Sequence, residues 1–153
     1  MKILMVCLGN ICRSPMAEGW LKHKIKEQNL SIEVDSAGTA NYHVGEQPDK
    51  RMILHAKKYG VDISTLRARQ FVVADFDRFD QIYVMDESNL QNVYRLARNE
   101  DDKNKVELLL NELLPAENLP VPDPYYGGEK DFIEVIELLE KATEVVVKKH
   151  TIN

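Results

Sequence analysis

Strand-like and helix-like hydrophobic patterns alternate along this chain, and the alternation restricts the possible folds more than any other feature. Short apolar or alternating runs predict four strands, at 3–6, 31–35, 81–85 and 106–110. Helical spacing of apolar residues predicts helices at 15–28, 48–59, 86–98 and 131–149. Strands that alternate with helices form a mostly parallel sheet covered by helices on both faces. The sequence therefore predicts an α/β fold with a four-stranded parallel sheet, as a single domain over residues 1–153.

Local composition refines these boundaries. The strand at 31–35 alternates polar and apolar residues, which predicts an edge position, and a turn is expected at 36–39. Pro48 suits the first helical position and Gly60 suits the stop after that helix. On the first helix, the solvent side is expected to carry Lys22, Lys24 and Lys26.

The second half of the chain contains a long connection that is a candidate for function. The polar stretch 99–105 predicts a loop, and 106–110 is compatible with a strand or with a helix reaching residue 114. Residues 114–128 contain four prolines, and loops of this length are more often functional than not. Because ligands bind beyond the carboxyl ends of parallel strands, this loop and residues 7–14 are expected at one edge of the sheet.

Charge and hydropathy exclude several classes of protein. The net charge is −5, so the chain has no overall basic field for nucleic acid or an anionic membrane. The apolar run 3–8 is too short for a membrane span or a signal peptide. We expect a cytoplasmic monomer without nucleic-acid or membrane partners. Its two cysteines are expected to be reactive or buried thiols rather than a structural disulfide.

The segment 7–14, Cys-Leu-Gly-Asn-Ile-Cys-Arg-Ser, has the features of a phosphate-binding loop. Gly9 and Asn10 tolerate the left-handed backbone that a tight loop requires. Successive N–H groups in such a loop form an anion-binding nest, and a helix that begins at Pro15 adds unpaired donors. Arg13 can offer two parallel donors to two phosphate oxygens. The sequence therefore predicts a phosphoryl-binding site here.

Cys7 is the predicted nucleophile at this site. A positive field favours the thiolate form of cysteine, which is the form that attacks, and the hydroxyl of Ser14 can donate to the sulfur. Attack on phosphorus would give a phosphocysteine intermediate. The spacing of Cys7 and Arg13 is a weak signal by itself, since a buried cysteine and a surface arginine can give it. The preceding strand, the Gly-Asn pair and the helix start make it specific.

No metal or cofactor is predicted. Structural zinc requires four ligands that usually occur in pairs, whereas the histidines are scattered, at His23, His43, His55 and His150. The glycine patterns of nucleotide-binding loops are absent from the sequence.

A phosphoryl transfer also requires a proton donor for the leaving oxygen, and Asp123 is the best candidate. It lies in the long loop on the expected active edge, where Pro124 restrains its backbone. Tyr125 and Tyr126 would wall a cleft beside it, and Tyr42 would form another wall. Asp86 is a rival acid, but its position before a helix favours capping, and Ser36 is expected to support the loop by hydrogen bonds.

Several motifs together resemble the low-molecular-weight protein tyrosine phosphatases. They are Cys7 to Pro15, Ser36-Ala37-Gly38-Thr39, Met85-Asp86-Glu87-Ser88-Asn89 and Asp123-Pro124-Tyr125-Tyr126-Gly127. They occur in order over nearly the whole chain, which makes the resemblance very specific.

The resemblance implies a metal-independent phosphatase, with phosphotyrosine proteins as partners and inorganic phosphate as product and inhibitor. It implies that Cys7 is the nucleophile, Arg13 the phosphate clamp and Asp123 the general acid and then the general base. The substrate-binding residues would be Leu8, Gly9, Asn10, Ile11, Cys12, Ser14, Tyr42, Tyr125 and Tyr126. Leu66 stands where many members have a histidine that supports the phosphate loop.

Alternative activities share this fold. Protein arginine phosphatases are very similar but typically have threonine at the position of Ile11, where a branched apolar side chain favours a phenyl ester. Arsenate reductases need further cysteines downstream, and none follows Cys12. A non-catalytic phosphate-binding module is a further possibility. Cys12 is either a buried apolar residue or a thiol that captures oxidised Cys7 as a reversible disulfide.

Overall fold

A single parallel sheet of four strands forms the centre of the computed structural model, which describes residues 1–151. The strands are β1 (Lys2–Cys7), β2 (Glu33–Gly38), β3 (Gln81–Val84) and β4 (Val106–Leu108). They lie in the order β2-β1-β3-β4, and every neighbouring pair is parallel. The predicted four-stranded parallel sheet is therefore confirmed, and so is the edge position of β2.

The helices connect these strands. They are α1 (Arg13–Gln28), α2 (Lys50–Lys58), α3 (Asp75–Arg78), α4 (Glu87–Tyr94), α5 (Glu100–Asn104) and α6 (Glu129–Thr151), and a 3₁₀ turn, Leu109–Asn111, follows β4. Within residues 1–151, no helix is both long enough and apolar enough to cross a bilayer.

Strand β1 is buried on both faces, which explains its continuous apolar sequence. Ile3 and Met5 belong to a core formed with α1 and α6. Leu4 and Val6 belong to a second core on the opposite face, where they join Phe76 and other side chains. Helices therefore cover both faces of the sheet, as the alternation of elements predicts.

The sheet topology brings the candidate site together at one edge. β1 lies between β2 and β3, and Val6 pairs in register with Val84, so the carboxyl ends of these central strands are adjacent. The loop at 8–12 follows β1, and Asp86 follows β3. Ligand sites in such sheets lie where neighbouring strands lead to opposite faces, which is the position between β1 and β3.

Strand β2 begins and ends later than the sequence pattern predicts. Residues 36–38, predicted as a turn, continue the ladder instead, and Cys7 pairs with Gly38. A Cβ atom on Gly38 would lie 2.7 Å from the carbonyl oxygen of Leu8. The absence of a side chain lets the strand continue directly beside the phosphate-loop candidate.

The start of α2 also differs from the prediction, while its end agrees. Pro48 precedes the helix, and Asp49 is the N-cap, since its carboxylate accepts a hydrogen bond from the N–H of Arg51 at 2.8 Å. Gly60 has a φ of +81° just beyond the helix. Its role as the stop is confirmed.

Three other predictions for the second half are wrong in detail. Residues 99–105 form a short helix rather than a loop, because Asn99 caps it by accepting from the N–H of Asp102 at 2.9 Å. β4 ends at Leu108 and turns into 3₁₀ geometry, and α4 ends at Tyr94. The α3 turn, which includes the buried Asp75, has no apolar periodicity from which to predict it.

Lys24 was predicted on the solvent side of α1 but is buried against α6. Its ammonium donates to Glu140 at 2.6 Å and to Glu144 at 2.7 Å, and it lies 5.6 Å from the ring centroid of Trp20. These carboxylates raise the pKa of Lys24, although burial by itself acts against the charge, and Lys24 lowers the pKa of Glu144. An ionic cluster therefore links α1 to α6.

We expect Lys24→Ala to lower the free energy of unfolding by about 1–3 kcal/mol, because it leaves two carboxylates unpaired beside a packed interface. Urea unfolding at neutral pH would measure this, with the exposed Lys26→Ala as the matched control. Since the pKa of Glu144 lies below 4.5 in the folded chain, its contribution is present above that pH and disappears as the pH falls. A Lys24→Ala variant as stable as Lys26→Ala would contradict the role.

Candidate active site

The loop at 8–12 joins β1, which ends at Cys7, to α1, which begins at Arg13. Its carbonyl groups are tied to neighbouring segments. The oxygen of Leu8 accepts from the N–H of Ala40 at 2.9 Å, and that of Ile11 accepts from the N–H of Asp49 at 2.8 Å. Because these carbonyls bond outside the loop, its N–H groups and those of the first turn of α1 form the side suited to an anion.

Asn10 holds the shape of this loop. It has a φ of 58°, the left-handed region that asparagine tolerates better than most residues. Its Nδ2 donates to the hydroxyl of Ser14 at 2.8 Å and to that of Ser36 at 2.9 Å. Its Oδ1 accepts from the N–H of Arg69 at 3.0 Å. One buried amide therefore connects the loop to α1, β2 and the segment before α3.

Leu66 lies outside this network. Leu66 packs against the main core and supplies no polar group to the loop. The hydrogen-bonding groups of Asn10 are nevertheless all used, through Ser14, Ser36 and the backbone of Arg69. The loop in this chain is therefore supported without a histidine at that position.

A buried carboxylate, Glu18, continues the network behind the loop. Ser36 donates its hydroxyl to Glu18 at 2.6 Å, so Ser36 can accept from Asn10 at the same time. Burial raises the pKa of Glu18, against the opposing effects of Lys22 and Ser36. The predicted supporting role of Ser36 agrees with this geometry, whereas Glu18 was missed because a helical glutamate gives no distinctive signal in a sequence.

The Cys7 sulfur lies at the bottom of the loop, 3.0 Å from the hydroxyl oxygen of Ser14. The amide of Asn10 donates to that same oxygen and occupies an acceptor position. The hydroxyl hydrogen of Ser14 can therefore point at the sulfur, which lies closer than its other acceptor, the carbonyl of Ala37 at 3.5 Å. The sulfur thus has a hydroxyl donor at the bottom of the cleft.

Arg13 is a buried cation surrounded by acidic groups. Its Nη1 donates to Asp86 Oδ2 at 2.7 Å and to the carbonyl of Val121 at 3.1 Å, and its Nη2 lies 3.6 Å from Asp123 Oδ2. Burial by itself acts against the charge, but Cys7, Asp86 and Asp123 raise the pKa of Arg13 above its usual value. The guanidinium group is therefore permanently charged and fixed in orientation.

Asp86 has two roles. Its side chain accepts from the N–H of Asn89 at 2.8 Å in a capping box at the start of α4, so its predicted capping role is confirmed. Its other oxygen orients Arg13. The second role could have been suspected from the sequence, because Asp86 directly follows a strand whose carboxyl end lies beside Cys7.

A cleft of about 300 Å³ opens over the loop. Its lining residues are Cys7, Leu8, Gly9, Ile11, Cys12, Arg13, Tyr42, His43, Asp123, Tyr125 and Tyr126. The structure thus gathers most of the predicted site residues around one cavity. Asn10 and Ser14 lie beneath the loop instead, 2% and 0% exposed. His43, next to Tyr42, joins the wall without having been predicted for the site.

The long connection supplies Asp123 and two aromatic rings to this cleft. The Asp123 side chain is 42% exposed, so a substrate can reach it, and its Oδ1 accepts from the N–H of Tyr125 at 3.1 Å. The rings of Tyr125 and Tyr126 pack edge to face at 4.9 Å, and Tyr126 is almost fully exposed. Tyr42, also largely exposed, lines the same cleft.

The second cysteine shares the cleft but differs from the first in its surroundings. Cys7 and Cys12 are both free and buried. Burial raises the pKa of the Cys12 thiol, and the negative charge of Asp49 adds to that effect. Cys12 is therefore a neutral thiol at neutral pH.

Comparisons with known proteins agree with this geometry. The family model for low molecular weight phosphotyrosine protein phosphatase matches residues 2–151. A low molecular weight phosphotyrosine protein phosphatase of Gallus gallus is 40% identical over 150 residues, which cover 96% of this chain and 94% of that protein. A protein tyrosine phosphatase of Entamoeba histolytica superposes with a TM-score of 0.91 at 41% identity, over 98% of this chain and 96% of that one. A Drosophila arginine phosphatase superposes with a TM-score of 0.92 at 32% identity, over 100% of this chain and 99% of that one.

We expect Asn10→Ala to destabilise the fold by about 2–4 kcal/mol, because it strains a left-handed residue, removes three hydrogen bonds and leaves the N–H of Arg69 without its acceptor. Inorganic phosphate should also stabilise the variant less against heat than it stabilises the parent. Asn118→Ala is the matched control, since Asn118 has a φ of 54° but is exposed. Asn10→Gly, which keeps the backbone conformation, separates strain from lost hydrogen bonds. Equal losses of stability in Asn10→Ala and Asn118→Ala would show that the buried hydrogen bonds of Asn10 contribute nothing to stability.

Proposed function

The chain belongs to the low molecular weight phosphotyrosine protein phosphatase family, and on that premise we propose that it hydrolyses phosphotyrosine in proteins, and small aryl phosphates, through a phosphocysteine at Cys7. One observation carries the assignment of roles. A nucleophile, a fixed cation and an accessible acid, Cys7, Arg13 and Asp123, line one cleft beside an aromatic wall. Each corresponds to one requirement of phosphoryl transfer to a thiol.

In the first step, the Cys7 thiolate attacks phosphorus. The sulfur–phosphorus bond forms as the bond from phosphorus to the phenolic oxygen breaks. The equatorial oxygens are bound by the loop N–H groups and by Arg13, which stabilise the charge of the transition state. Asp123 gives its proton to the departing oxygen, so a neutral phenol leaves. Arg13 requires no reorganisation, because Asp86 and the Val121 carbonyl already orient it.

In the second step, water displaces the sulfur. Asp123, now a carboxylate, accepts a proton from the attacking water, and the sulfur–phosphorus bond breaks to release inorganic phosphate. The hydroxyl of Ser14, 3.0 Å from the sulfur, stabilises the thiolate as it leaves. The chain returns to its starting state without a metal or cofactor in this scheme.

The walls of the cleft support an aryl substrate. Ile11 and the rings of Tyr42, Tyr125 and Tyr126 line the cavity, where they would pack against the phenyl ring of the leaving group. Leu8 and Gly9 complete the loop side of the wall. An aliphatic phosphoserine would gain less from these contacts and would hold its phosphate less deeply over Cys7.

A second candidate substrate on this fold is phosphoarginine in proteins. The close superposition with a Drosophila arginine phosphatase favours it. Ile11 argues against it, because this branched apolar side chain faces the cleft where arginine phosphatases typically have threonine. A charged guanidinium leaving group would lose hydration there without gaining a hydrogen-bond partner.

The remaining parts of the proposal concern the setting in which the protein acts. We propose that it works as a cytoplasmic monomer, that proteins bearing phosphotyrosine are its partners, and that inorganic phosphate competes with substrate for the loop. The net charge of −5 supports the absence of nucleic-acid or membrane partners.

We also propose that Cys12 protects Cys7 from oxidation. Peroxide would convert the Cys7 thiolate to a sulfenic acid, and the Cys12 thiol would attack its sulfur, so that the Cys12 proton and the sulfenic hydroxyl leave as water and a disulfide forms. Both thiols line the same cleft within one short loop, which supports the proposal. Thiol reductants would reverse the disulfide, whereas further oxidation to a sulfinic acid would be irreversible.

Rates on phosphotyrosine, phosphoserine and phosphoarginine peptides test the main proposal. We expect the parent to act fastest on phosphotyrosine. Cys7→Ser should abolish turnover, because a neutral hydroxyl replaces the thiolate, and Asp123→Ala should lower kcat/KM on phosphotyrosine by about 10²–10⁴-fold through loss of the acid. Activity retained by Cys7→Ser would exclude the covalent mechanism. Faster turnover of phosphoarginine would establish the second candidate instead.

Recovery from peroxide tests the role of Cys12. After a brief exposure, dithiothreitol should restore most of the activity of the parent but much less of the activity of Cys12→Ser, because the unprotected sulfenic acid oxidises further. Trapped disulfide, detected by mass spectrometry of the unreduced parent, provides an independent check. Equal recovery of the two proteins would show that Cys12 is a packing residue.

A further inference from the structure

Arg51, at the start of α2, lies outside the cleft lining but contacts the segment that carries the acid. Its guanidinium group forms a two-pronged contact with Asp49, with Nε to Oδ1 at 3.1 Å and Nη2 to Oδ2 at 2.9 Å. The same carboxylate caps α2. Because Asp49 fixes the plane of the guanidinium, the remaining N–H groups of Arg51 have a fixed direction.

Those remaining groups bind the segment that follows Asp123. Arg51 Nη2 donates to the carbonyl of Tyr125 at 2.9 Å, and Nη1 approaches the carbonyl of Gly127 at 3.4 Å. The guanidinium also stacks on aromatic rings, 4.6 Å from the centroid of Phe132 and 5.7 Å from that of Tyr125. The acid-bearing segment is thus attached to α2 by hydrogen bonds and by packing.

Tyr125 links Arg51 to Asp123 through its backbone. Its N–H donates to Asp123 Oδ1 at 3.1 Å, while its carbonyl accepts from Arg51. A single residue, held at both backbone groups, therefore separates the Arg51 guanidinium from the Asp123 carboxylate. A displacement of Tyr125 would move the acid directly.

The other end of the attachment reaches the phosphate loop. The N–H of Asp49 donates to the carbonyl of Ile11 at 2.8 Å. Asp49 and Arg51 consequently connect the loop that holds the phosphoryl group with the segment that holds the proton donor. These two segments are more than 100 residues apart in the sequence, and their relative position decides whether the proton reaches the leaving oxygen.

We propose that Arg51 is a positioning residue that sets the place of the Asp123 carboxyl relative to the leaving oxygen. The inference rests on the proposed function, because it concerns the acid of that reaction. Arg51 is not among the residues that line the cleft. Its loss should therefore weaken proton donation specifically, and most for substrates whose leaving group needs the proton most.

The experiment measures kcat/KM for substituted phenyl phosphates, from 4-nitrophenyl to 4-methylphenyl phosphate. We expect Arg51→Met, which keeps an apolar stem over Phe132, to lose about tenfold more activity on the poorest leaving group than on the best. Arg51→Lys should not restore the leaving-group dependence of the parent, because one ammonium group cannot donate to both the Asp49 carboxylate and the Tyr125 carbonyl with the fixed geometry of a guanidinium. Arg67→Met is the matched control, since Arg67 donates to loop carbonyls of Ser64 and Leu66.

The decisive variant combines Arg51→Met with Asp123→Ala. If Arg51 acts through Asp123, the double variant should show the leaving-group dependence of Asp123→Ala with no further change. Three results would overturn the inference. They are an equal loss of kcat/KM on all substrates in Arg51→Met, a further full loss of kcat/KM in the double variant, and complete recovery of the parent kcat/KM values in Arg51→Lys. Far-UV circular dichroism and urea unfolding exclude loss of fold as the cause.

The same series separates this inference from the proposed function. If the parent does not hydrolyse aryl phosphates, or if Asp123→Ala keeps the leaving-group dependence of the parent, the assignment of the acid is wrong and the inference fails with it. If both of those results are as expected and Arg51→Met behaves like Arg67→Met, the inference about Arg51 fails while the proposed function remains.

Discussion

The amide of Asn10 is the interaction on which the rest of the site depends. A phosphate-binding loop has to keep its N–H groups pointing inwards before any anion arrives, and such a loop has little regular secondary structure to hold it. Here one buried side chain supplies three hydrogen bonds and a left-handed backbone at the same residue. The partners of Asn10 lie on α1, β2 and the segment before α3. The loop is therefore fixed to three neighbouring segments at this edge of the sheet. The same amide donates to the Ser14 hydroxyl that contacts the Cys7 sulfur, so one side chain influences both the shape of the loop and this contact.

The charged groups of the site are also held by a small number of contacts. The chain is acidic overall, yet it presents a fixed cation at the cleft because Asp86 and a backbone carbonyl orient Arg13. Asp123 approaches that cation from the opposite loop at 3.6 Å and remains exposed to substrate. The Asp123 carboxylate and the Arg13 guanidinium therefore form one electrostatic unit, and the contacts of Arg51 and Asp49 connect the segments that carry them.

Much of the fold could be predicted because hydrophobic periodicity and strand–helix alternation are local properties. The sheet, its parallel direction and the edge position of β2 follow from them. The errors have different physical causes. Residues 36–38 look like a turn by composition but continue β2 because β1 offers them a ladder, and residues 99–105 look like a loop but form α5 because Asn99 caps them. Lys24 looks like a surface residue but is buried because two glutamates on α6 face it. Distant partners override local composition in β2 and at Lys24, whereas α5 forms because of a cap that is local.

The sequence by itself determined the chemistry available to this protein: a cysteine and an arginine at loop spacing, an aspartate in a proline-rich connection, and aromatic residues beside it. Residue type and spacing are sufficient for that, because nucleophilicity, charge and backbone preference belong to the residues themselves. Tertiary structure decided which residues act together. It placed Asn10 and Ser14 beneath the loop rather than in the cleft, gave Asp86 a second partner and added Glu18 and Arg51 as supports. The physical reason is that hydrogen bonds and ion pairs depend on distances of about 3 Å between atoms. Such distances are set by the packing of elements far apart in the chain.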